Sequence, residues 1–353
     1  MKFHQAHLSY CTNIHPAETW AETFTVLRTH VLAVRDRLRA TGILGADEAF
    51  AIGLRLSAVA ARELLTGDHL TEFKNWLEET NTYVFTINGF PYGSFHGTRV
   101  KEQVFKPDWT EQGGVDDTKD VVRSLAVIAR PGTGASVSTL PGSHKSFQAD
   151  ESLIRRNLIE LAGWIEELAG QTGHDFHLGL EPEPLGHFEN TAETLELFER
   201  LHADTTESDV LSRRIGVNFD TCHFALEYDN VRSSLAVLEN EGIRISKIHL
   251  SSALAFDPRE PAAVAAIRAY DEPTYFHQVL VLGGEAEITR FIDLPDFLRA
   301  GEIPGAVEAR VHFHIPLDSE PVPPLRSTLR DVREVLAWRR DHPSACPHYE
   351  IET

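Results

Sequence analysis

Short apolar runs alternate along the chain with longer segments in which apolar residues recur every three or four positions. The longer segments predict amphipathic helices, and the clearest of them carries Ile154, Leu158, Leu161, Ile165 and Leu168 at helical spacing. The short runs predict strands at residues 5–11, 50–56, 83–88, 135–140, 177–181, 215–220, 245–250, 310–315 and 349–352. Strands that alternate with helices in this way favour βαβ units and a parallel sheet.

The alternation predicts an α/β protein, a (β/α)8 TIM barrel that forms a single domain over residues 1–353. The nine predicted strands are one more than an eight-stranded barrel contains. Either residues 135–140 or residues 310–315 therefore lie at an edge or in an insertion.

Two segments interrupt the regular pattern. In residues 275–294, two β-type runs flank Gly283 and Gly284, which predicts an inserted β-hairpin that covers one side of the barrel mouth. Residues 90–114 form a long, glycine-rich loop, and loops of this length are often lids or binding loops.

Several predicted strands end in residues that bind metal ions. Glu181 and Asp220 each follow an apolar run, His249 closes a third, and Glu350 and Glu352 lie on the last strand. A divalent cation prefers such ligands, and the carboxyl ends of barrel strands open on one face. Glu352 is nearer the mouth than Glu350 and is the preferred ligand. A packed core histidine is the alternative interpretation of His249.

Charge and cysteine content limit the kinds of binding partner and the cellular compartment that we expect. The net charge of −20 opposes nucleic acid and anionic membranes, so we expect a small-molecule substrate, and a homo-oligomer is compatible with the sequence. Three widely spaced cysteines, among them Cys222 as a predicted buried thiol, favour a reducing compartment. No apolar leader or membrane-spanning run is evident, so a cytoplasmic protein without membrane insertion is expected.

The motifs around these residues resemble a known superfamily. Glu-Pro-Glu-Pro at 181–184, Asp-Thr-Cys-His at 220–223, Lys-Ile-His-Leu at 247–250 and the segments 88–93 and 96–101 resemble xylose isomerase-like TIM barrels, which include sugar phosphate isomerases and epimerases. Within that superfamily they are most similar to EboE-type metabolite traffic proteins. The similarity extends over essentially the whole chain, but the strand with Val311 to His314 before the final glutamate is a departure.

The resemblance implies one divalent metal ion, with manganese favoured and zinc, cobalt or magnesium as alternatives. Carried over by position, its ligands are Glu181, Asp220, His249 and Glu352, and His223 lies near the substrate. We further predict substrate contacts for side chains at or after strand ends and in the hairpin: Arg55, Asn88, Tyr92, His96, Arg99, Glu183, His277 and His314. His312, on the same strand face as His314, is expected to be a packed residue.

Three functions fit this site. The first is metal-dependent isomerisation or epimerisation of a sugar or similar polyhydroxylated metabolite through an enediolate, with Glu181 and Glu352 moving the proton and His223 as a further catalytic residue. The second is a barrel that binds and hands on a metabolite without turning it over. The third, an apurinic-endonuclease-like phosphodiesterase, suits the negative charge poorly.

Overall fold

The computed structural model describes residues 1–90, 101–272 and 276–352. Its strands are β1 (Lys2–Phe3), β2 (Ala6–Cys11), β3 (Phe50–Arg55), β4 (Thr82–Asn88), β5 (Ala135–Thr139), β6 (Phe176–Leu180), β7 (Ile215–Asp220), β8 (Arg244–Leu250), β9 (Leu254–Phe256), β10 (Val279–Gly283), β11 (Ile288–Phe291), β12 (Ala306–Val311), β13 (Arg326–Ser327) and β14 (His348–Ile351).

Eight of these strands close into a parallel barrel. The order β2-β14-β8-β7-β6-β5-β4-β3 returns to β2 through a β2–β3 pairing, and β1 is a short antiparallel partner of β2. The predicted (β/α)8 barrel is therefore confirmed. Of the two candidates for the surplus strand, residues 135–140 belong to the barrel, and the later candidate lies outside it.

The helices lie outside the barrel: most follow its strands and cover the sheet, and the two at residues 261–267 and 294–300 pack in the insertion after β8. They are α1 (Trp20–Val26), α2 (Leu32–Ala40), α3 (Ala58–Leu64), α4 (His69–Glu79), α5 (Gln112–Ile128), α6 (Glu151–Thr172), α7 (Thr191–Ala203), α8 (Ser208–Arg214), α9 (Thr221–Leu226), α10 (Val231–Asn240), α11 (Pro261–Ile267), α12 (Leu294–Ala300) and α13 (Leu329–Asp341). A π-helical turn, Leu27–Val31, joins α1 to α2.

The clearest predicted helix, α6, shows why the pattern was informative. Asp150 caps its first turn by accepting a hydrogen bond from the Ser152 N–H, and Gly173 ends it in the left-handed conformation, with φ of +74°. Its apolar stripe, which includes Leu158 and Leu161, is fully buried in the main core. None of the helices in the described parts of the chain is long and apolar enough to cross a membrane.

The insertion after β8 is larger than predicted. β10 and β11 form the expected hairpin, but they belong to a five-stranded antiparallel sheet of order β11-β10-β12-β9-β13. This sheet has an apolar core of its own, which includes Phe256, Val279, Leu294 and Val311. The short β9 and β13 carry too few residues to show a period-two pattern and were therefore not predicted.

The strand predicted at residues 310–315 is wrong in its bounds. β12 ends at Val311, and the Phe313 N–H donates a hydrogen bond to the Val311 carbonyl, which turns the chain out of the sheet. The alternating residues His312, Phe313 and His314 therefore lie after the strand, although their pattern is typical of one. Of the predicted lid segments, residues 91–100 and 275 lie outside the described residues.

Candidate metal centre

Four side chains from four barrel strands converge at the carboxyl end of the barrel. One ligand atom from each of Glu181, Asp220, His249 and Glu352 lies within 4.8 Å of every other. The His249 Nδ1 atom lies 3.2 Å from Glu181 Oε1 and 3.5 Å from Asp220 Oδ2, and it also contacts Glu352 Oε2. These are the four residues that the sequence resemblance predicts as metal ligands.

Strand register places these residues together. Asp220, the last residue of β7, lies beside His249 of β8 in the parallel ladder. Glu181 immediately follows β6, and its N–H donates to the Thr139 carbonyl of the neighbouring strand, so its backbone still belongs to the sheet edge. Glu352 follows β14 and donates its N–H to the Leu250 carbonyl. Parallel strands thus deliver all four groups to one face.

The cluster has the chemistry of a cation site. Asp220 Oδ2 and Glu352 Oε2 are both buried and both face the same ring nitrogen, His249 Nδ1. Burial alone would lower the pKa of His249, but the carboxylates of Glu352 and Glu181 outweigh it and raise that pKa well above 6.5. Three acidic side chains around one imidazole fit a divalent ion such as Mn²⁺ or Zn²⁺.

Glu350 and Glu352 occupy different sides of His249. Glu352 lies with the ligand group, whereas Glu350 Oε2 lies 3.2 Å from the other ring nitrogen, Nε2. Glu350 also accepts a hydrogen bond of 2.9 Å from the buried Lys247 ammonium. Burial opposes ionisation of Glu350, but Lys247 and His249 hold its pKa well below the usual range. The geometry therefore favours Glu352 as the last-strand ligand.

A second group of potential ligands adjoins the first. Asp220, His223 and His314 lie within the same 4.8 Å limit, as do Cys222, His312 and His314. His223 Nδ1 lies 3.0 Å from the Pro182 carbonyl, which can only accept, so Nδ1 is the donor and, in the neutral ring, Nε2 has the lone pair. That Nε2 lies 3.3 Å from His314 Nε2. These residues could hold a second ion with Asp220 between the two positions.

Glu183 is the acidic side chain next to this centre that favours its neutral form. Burial raises its pKa well above 4.5, and the nearby charges of Glu181, Asp220 and Glu352 raise it further. Its Oε1 atom has no hydrogen-bond partner among the described residues. A protonated carboxyl at this position can donate a hydrogen bond or a proton.

Other predicted substrate contacts lie elsewhere. The Arg55 guanidinium donates to the Ala17 carbonyl over 2.6 Å and pairs with Glu18 at 3.3 Å. His277 stacks on Phe313 at a centroid distance of 3.9 Å. The structure thus joins both side chains to partners other than the four ligands. Tyr92, His96 and Arg99 lie outside the described residues.

Beneath His249, the structure reveals a polar group that sequence reasoning missed. Lys247 is fully buried inside the barrel, and its ammonium contacts Asn88, Ser138 and Glu350. Asn88 is thereby part of the barrel interior. The sequence did indicate that Lys247 lies inside the barrel, because Lys247 and His249 are two residues apart on one strand and so share a face.

Comparisons with known proteins give structural neighbours only. The sequence matches no protein-family model and no curated protein. Among solved structures, the probable 3-DHS dehydratase AsbF from Bacillus anthracis is 14% identical, with a TM-score of 0.48, and the match covers 98% of this chain and 92% of that one.

Two further neighbours act on or bind small ligands. The 3-keto-D-glucoside 4-epimerase YcjR from E. coli is 15% identical with a TM-score of 0.41, over 69% of this chain and 77% of its own. The IOLI protein, whose structure holds a zinc atom, is 13% identical with a TM-score of 0.41, over 69% and 71%. Xylose isomerase domain proteins are also among the neighbours. At these TM-scores the likeness carries no functional argument, and the fold assignment rests on the closed sheet.

Proposed function

We propose that this protein is a metal-dependent isomerase or epimerase of a sugar or similar polyhydroxylated carbonyl metabolite. The observation that carries the proposal is the placement of Glu181 and Glu352 in one ligand group around His249. Isomerisation requires a base that takes a proton from carbon and an acid that returns one. Two carboxylates that follow different strands, β6 and β14, at one mouth can share that work.

In this proposal the ligand group holds one divalent ion, with manganese favoured, which would polarise the carbonyl and hydroxyl oxygens of the substrate. Glu181 or Glu352 removes the proton next to the carbonyl, and the electron pair moves toward oxygen to give an enediolate. Return of the proton to the opposite face of the same carbon completes epimerisation. Return to the neighbouring carbon, with transfer of the hydroxyl proton from one enediolate oxygen to the other, completes isomerisation.

Glu183 and His223 have supporting roles. The neutral Glu183 carboxyl donates a hydrogen bond to a substrate oxygen as negative charge develops there, which is the main demand of enolisation. The lone pair on His223 Nε2 accepts a hydrogen bond from a substrate hydroxyl, since its Nδ1 proton is held by the Pro182 carbonyl. Both residues thereby orient the carbon that exchanges its proton.

Phosphoester hydrolysis is a second candidate, and one observation favours it. The group of Asp220, His223 and His314 adjoins the first ligand group and shares Asp220 with it. Hydrolases often use two metal ions about 3.5–4 Å apart to activate water and stabilise the leaving oxygen. An apurinic-endonuclease-like activity would use this arrangement, although the net charge of −20 opposes a DNA substrate.

Exchange with deuterated water tests the proposal. We expect the Mn²⁺-loaded protein, incubated with a panel of ketoses and aldoses in deuterated water, to place deuterium on the carbon next to a carbonyl of at least one sugar. Mass spectrometry or proton NMR detects the label. Asp220→Ala should abolish both bound metal and exchange while leaving the circular dichroism spectrum unchanged.

The control variant is His69→Gln, at an exposed surface position, which should retain metal and exchange. Tight sugar binding without any deuterium incorporation would contradict catalysis and favour a metabolite-binding or traffic protein. Cleavage of an abasic-site oligonucleotide, together with two bound ions per chain, would favour the phosphodiesterase.

A further inference from the structure

The two ring nitrogens of His249 face different surroundings. Nδ1 faces the ligand oxygens of Glu181, Asp220 and Glu352. Nε2 lies on the opposite side of the ring, 3.2 Å from Glu350 Oε2. A metal ion among the ligand oxygens can therefore bind His249 only through Nδ1, and Nε2 is then the nitrogen that carries the proton.

Glu350 is positioned to accept a hydrogen bond from the Nε2–H group of His249. Its side chain is fully buried, Oε2 accepts from the Lys247 ammonium over 2.9 Å, and Oε1 accepts from the Asn88 amide over 3.0 Å. The Lys247 ammonium and the Asn88 amide thus hold the Glu350 carboxylate directly behind the ring.

The barrel interior is shaped around this ion pair. A Cβ atom at Gly53 of β3 would lie 1.7 Å from Glu350 Oε1, so only glycine leaves room for the carboxylate. Across the barrel, Ser138 of β5 donates to Asn88 over 2.7 Å and accepts from Lys247 over 3.0 Å. Residues of four barrel strands besides β14 therefore contribute to holding the Glu350 carboxylate, although Glu350 lies outside the ligand group.

We propose that Glu350 and Lys247 are positioning residues of the metal centre, which hold His249 in the form that binds a cation through Nδ1 and make it a stronger ligand. The inference rests on the proposed metal centre and concerns the group behind it. Carboxylates that accept a hydrogen bond from a metal-bound histidine commonly fix its tautomer and raise its basicity, and their loss typically weakens metal binding about 10–100-fold.

Two double variants separate positioning from simple structural support. Lys247→Met with Glu350→Gln removes both charges together but keeps an amide oxygen that can accept from Nε2–H. Lys247→Met with Glu350→Met also removes the acceptor. Because neither leaves an unpaired buried charge, both should fold. We expect the dissociation constant for Mn²⁺, measured by calorimetry, to rise about 10-fold or less in the first and about 10–100-fold in the second.

The matched control is Thr86→Val, which removes a hydroxyl buried in the barrel that contacts Ser136 and should leave Mn²⁺ affinity unchanged. Nitrogen-15 NMR of the Zn²⁺-loaded wild type provides a readout that needs no variant. We expect zinc on His249 Nδ1 and a proton on Nε2.

Either of two results would overturn the inference: zinc on Nε2, or wild-type Mn²⁺ affinity in the folded Met/Met variant. A wild-type protein that binds no divalent ion would instead refute the metal centre itself, and the inference would fall with it. The order of affinities, wild type above Met/Gln above Met/Met, supports the positioning role.

Discussion

At the scale of single residues, His249 carries the chemistry of the centre. The carboxylates around it outweigh its burial and raise its pKa well above 6.5, so without a metal ion the ring holds a proton on both nitrogens. The Nδ1 proton then occupies the position of the cation and balances the negative charge of Glu181, Asp220 and Glu352. Metal binding must displace this proton.

We therefore predict that each Mn²⁺ ion releases about one proton at pH 7. Calorimetric titrations in buffers with different ionisation enthalpies measure this number directly. His249→Gln should release none and should bind Mn²⁺ at least about 10-fold more weakly, since a neutral amide replaces an imidazole ligand. A binding heat that is the same in every buffer would contradict the assignment.

At the scale of elements, the insertion contacts the segment that follows Asp220, one of the four candidate ligands. Asp220 caps α9, and Tyr228 just beyond that helix places its hydroxyl 3.1 and 2.9 Å from the carbonyl oxygens of Leu280 in β10 and Glu308 in β12. Arg290 of β11 pairs with the buried Glu227 at 2.5 Å. The inserted sheet thus supports α9 as well as lying beside the mouth.

Removing the Tyr228 hydroxyl should loosen this junction. We predict that Tyr228→Phe lowers the free energy of unfolding by about 1–2 kcal/mol, because two strand carbonyls lose a buried partner. Urea denaturation measures the loss, and hydrogen exchange should show faster exchange in β10 and β12. Tyr270→Phe, at a residue that is 41% exposed, is the control and should change neither. Equal stability of both variants would show that the hydroxyl does not join the two parts.

At the scale of the whole molecule, the barrel has a polar layer at each end. Opposite the metal centre, near the amino ends of their strands, His7, His177 and His348 pack together, with His177 stacked on His348 at 5.3 Å. Burial lowers the pKa of His7 to about 4 and that of His348 to about 3, and it holds the pKa of His177 well below 6.5. The folded barrel keeps these rings neutral.

Acid should therefore destabilise the barrel. As pH falls from 6.5 toward 4, the unfolded chain takes up protons on these histidines and the folded chain does not. Each such group makes the free energy of unfolding fall by up to about 1.4 kcal/mol per pH unit. Urea midpoints across this range should show the slope, and His7→Phe should flatten it, whereas the exposed variant His69→Gln should not. A flat profile in the wild type would refute the prediction.

The sequence was most informative where a feature is local. Each barrel strand is a short apolar run, and Glu181, Asp220, His249 and Glu352 stand at or just after strand ends, so pattern and position together indicated the fold and the group of candidate ligands. The ion pair of Lys247 and Glu350 joins residues 103 positions apart along the chain, and no single-strand pattern encodes which residues meet across a barrel.

Other contacts are equally non-local. Arg55 ends a strand, and its contacts with Ala17 and Glu18 depend on how the preceding loop folds back. The alternating residues after Val311 resemble a strand, yet the ladder with β10 ends at Val311, and beyond it the His312 N–H donates to the Gln278 carbonyl. Local pattern predicts an element, and its partners decide where the element stops.

The closure of the barrel also has a consequence for how the protein matures. β14 is the last of the eight barrel strands along the chain, and it pairs with the first, β2. During synthesis on the ribosome, seven strands emerge before the one that brings Glu350 and Glu352. Until then Lys247 lacks the counter-charge of Glu350, and the candidate ligand group lacks Glu352. Sealing the ring and completing the proposed metal centre are therefore one event.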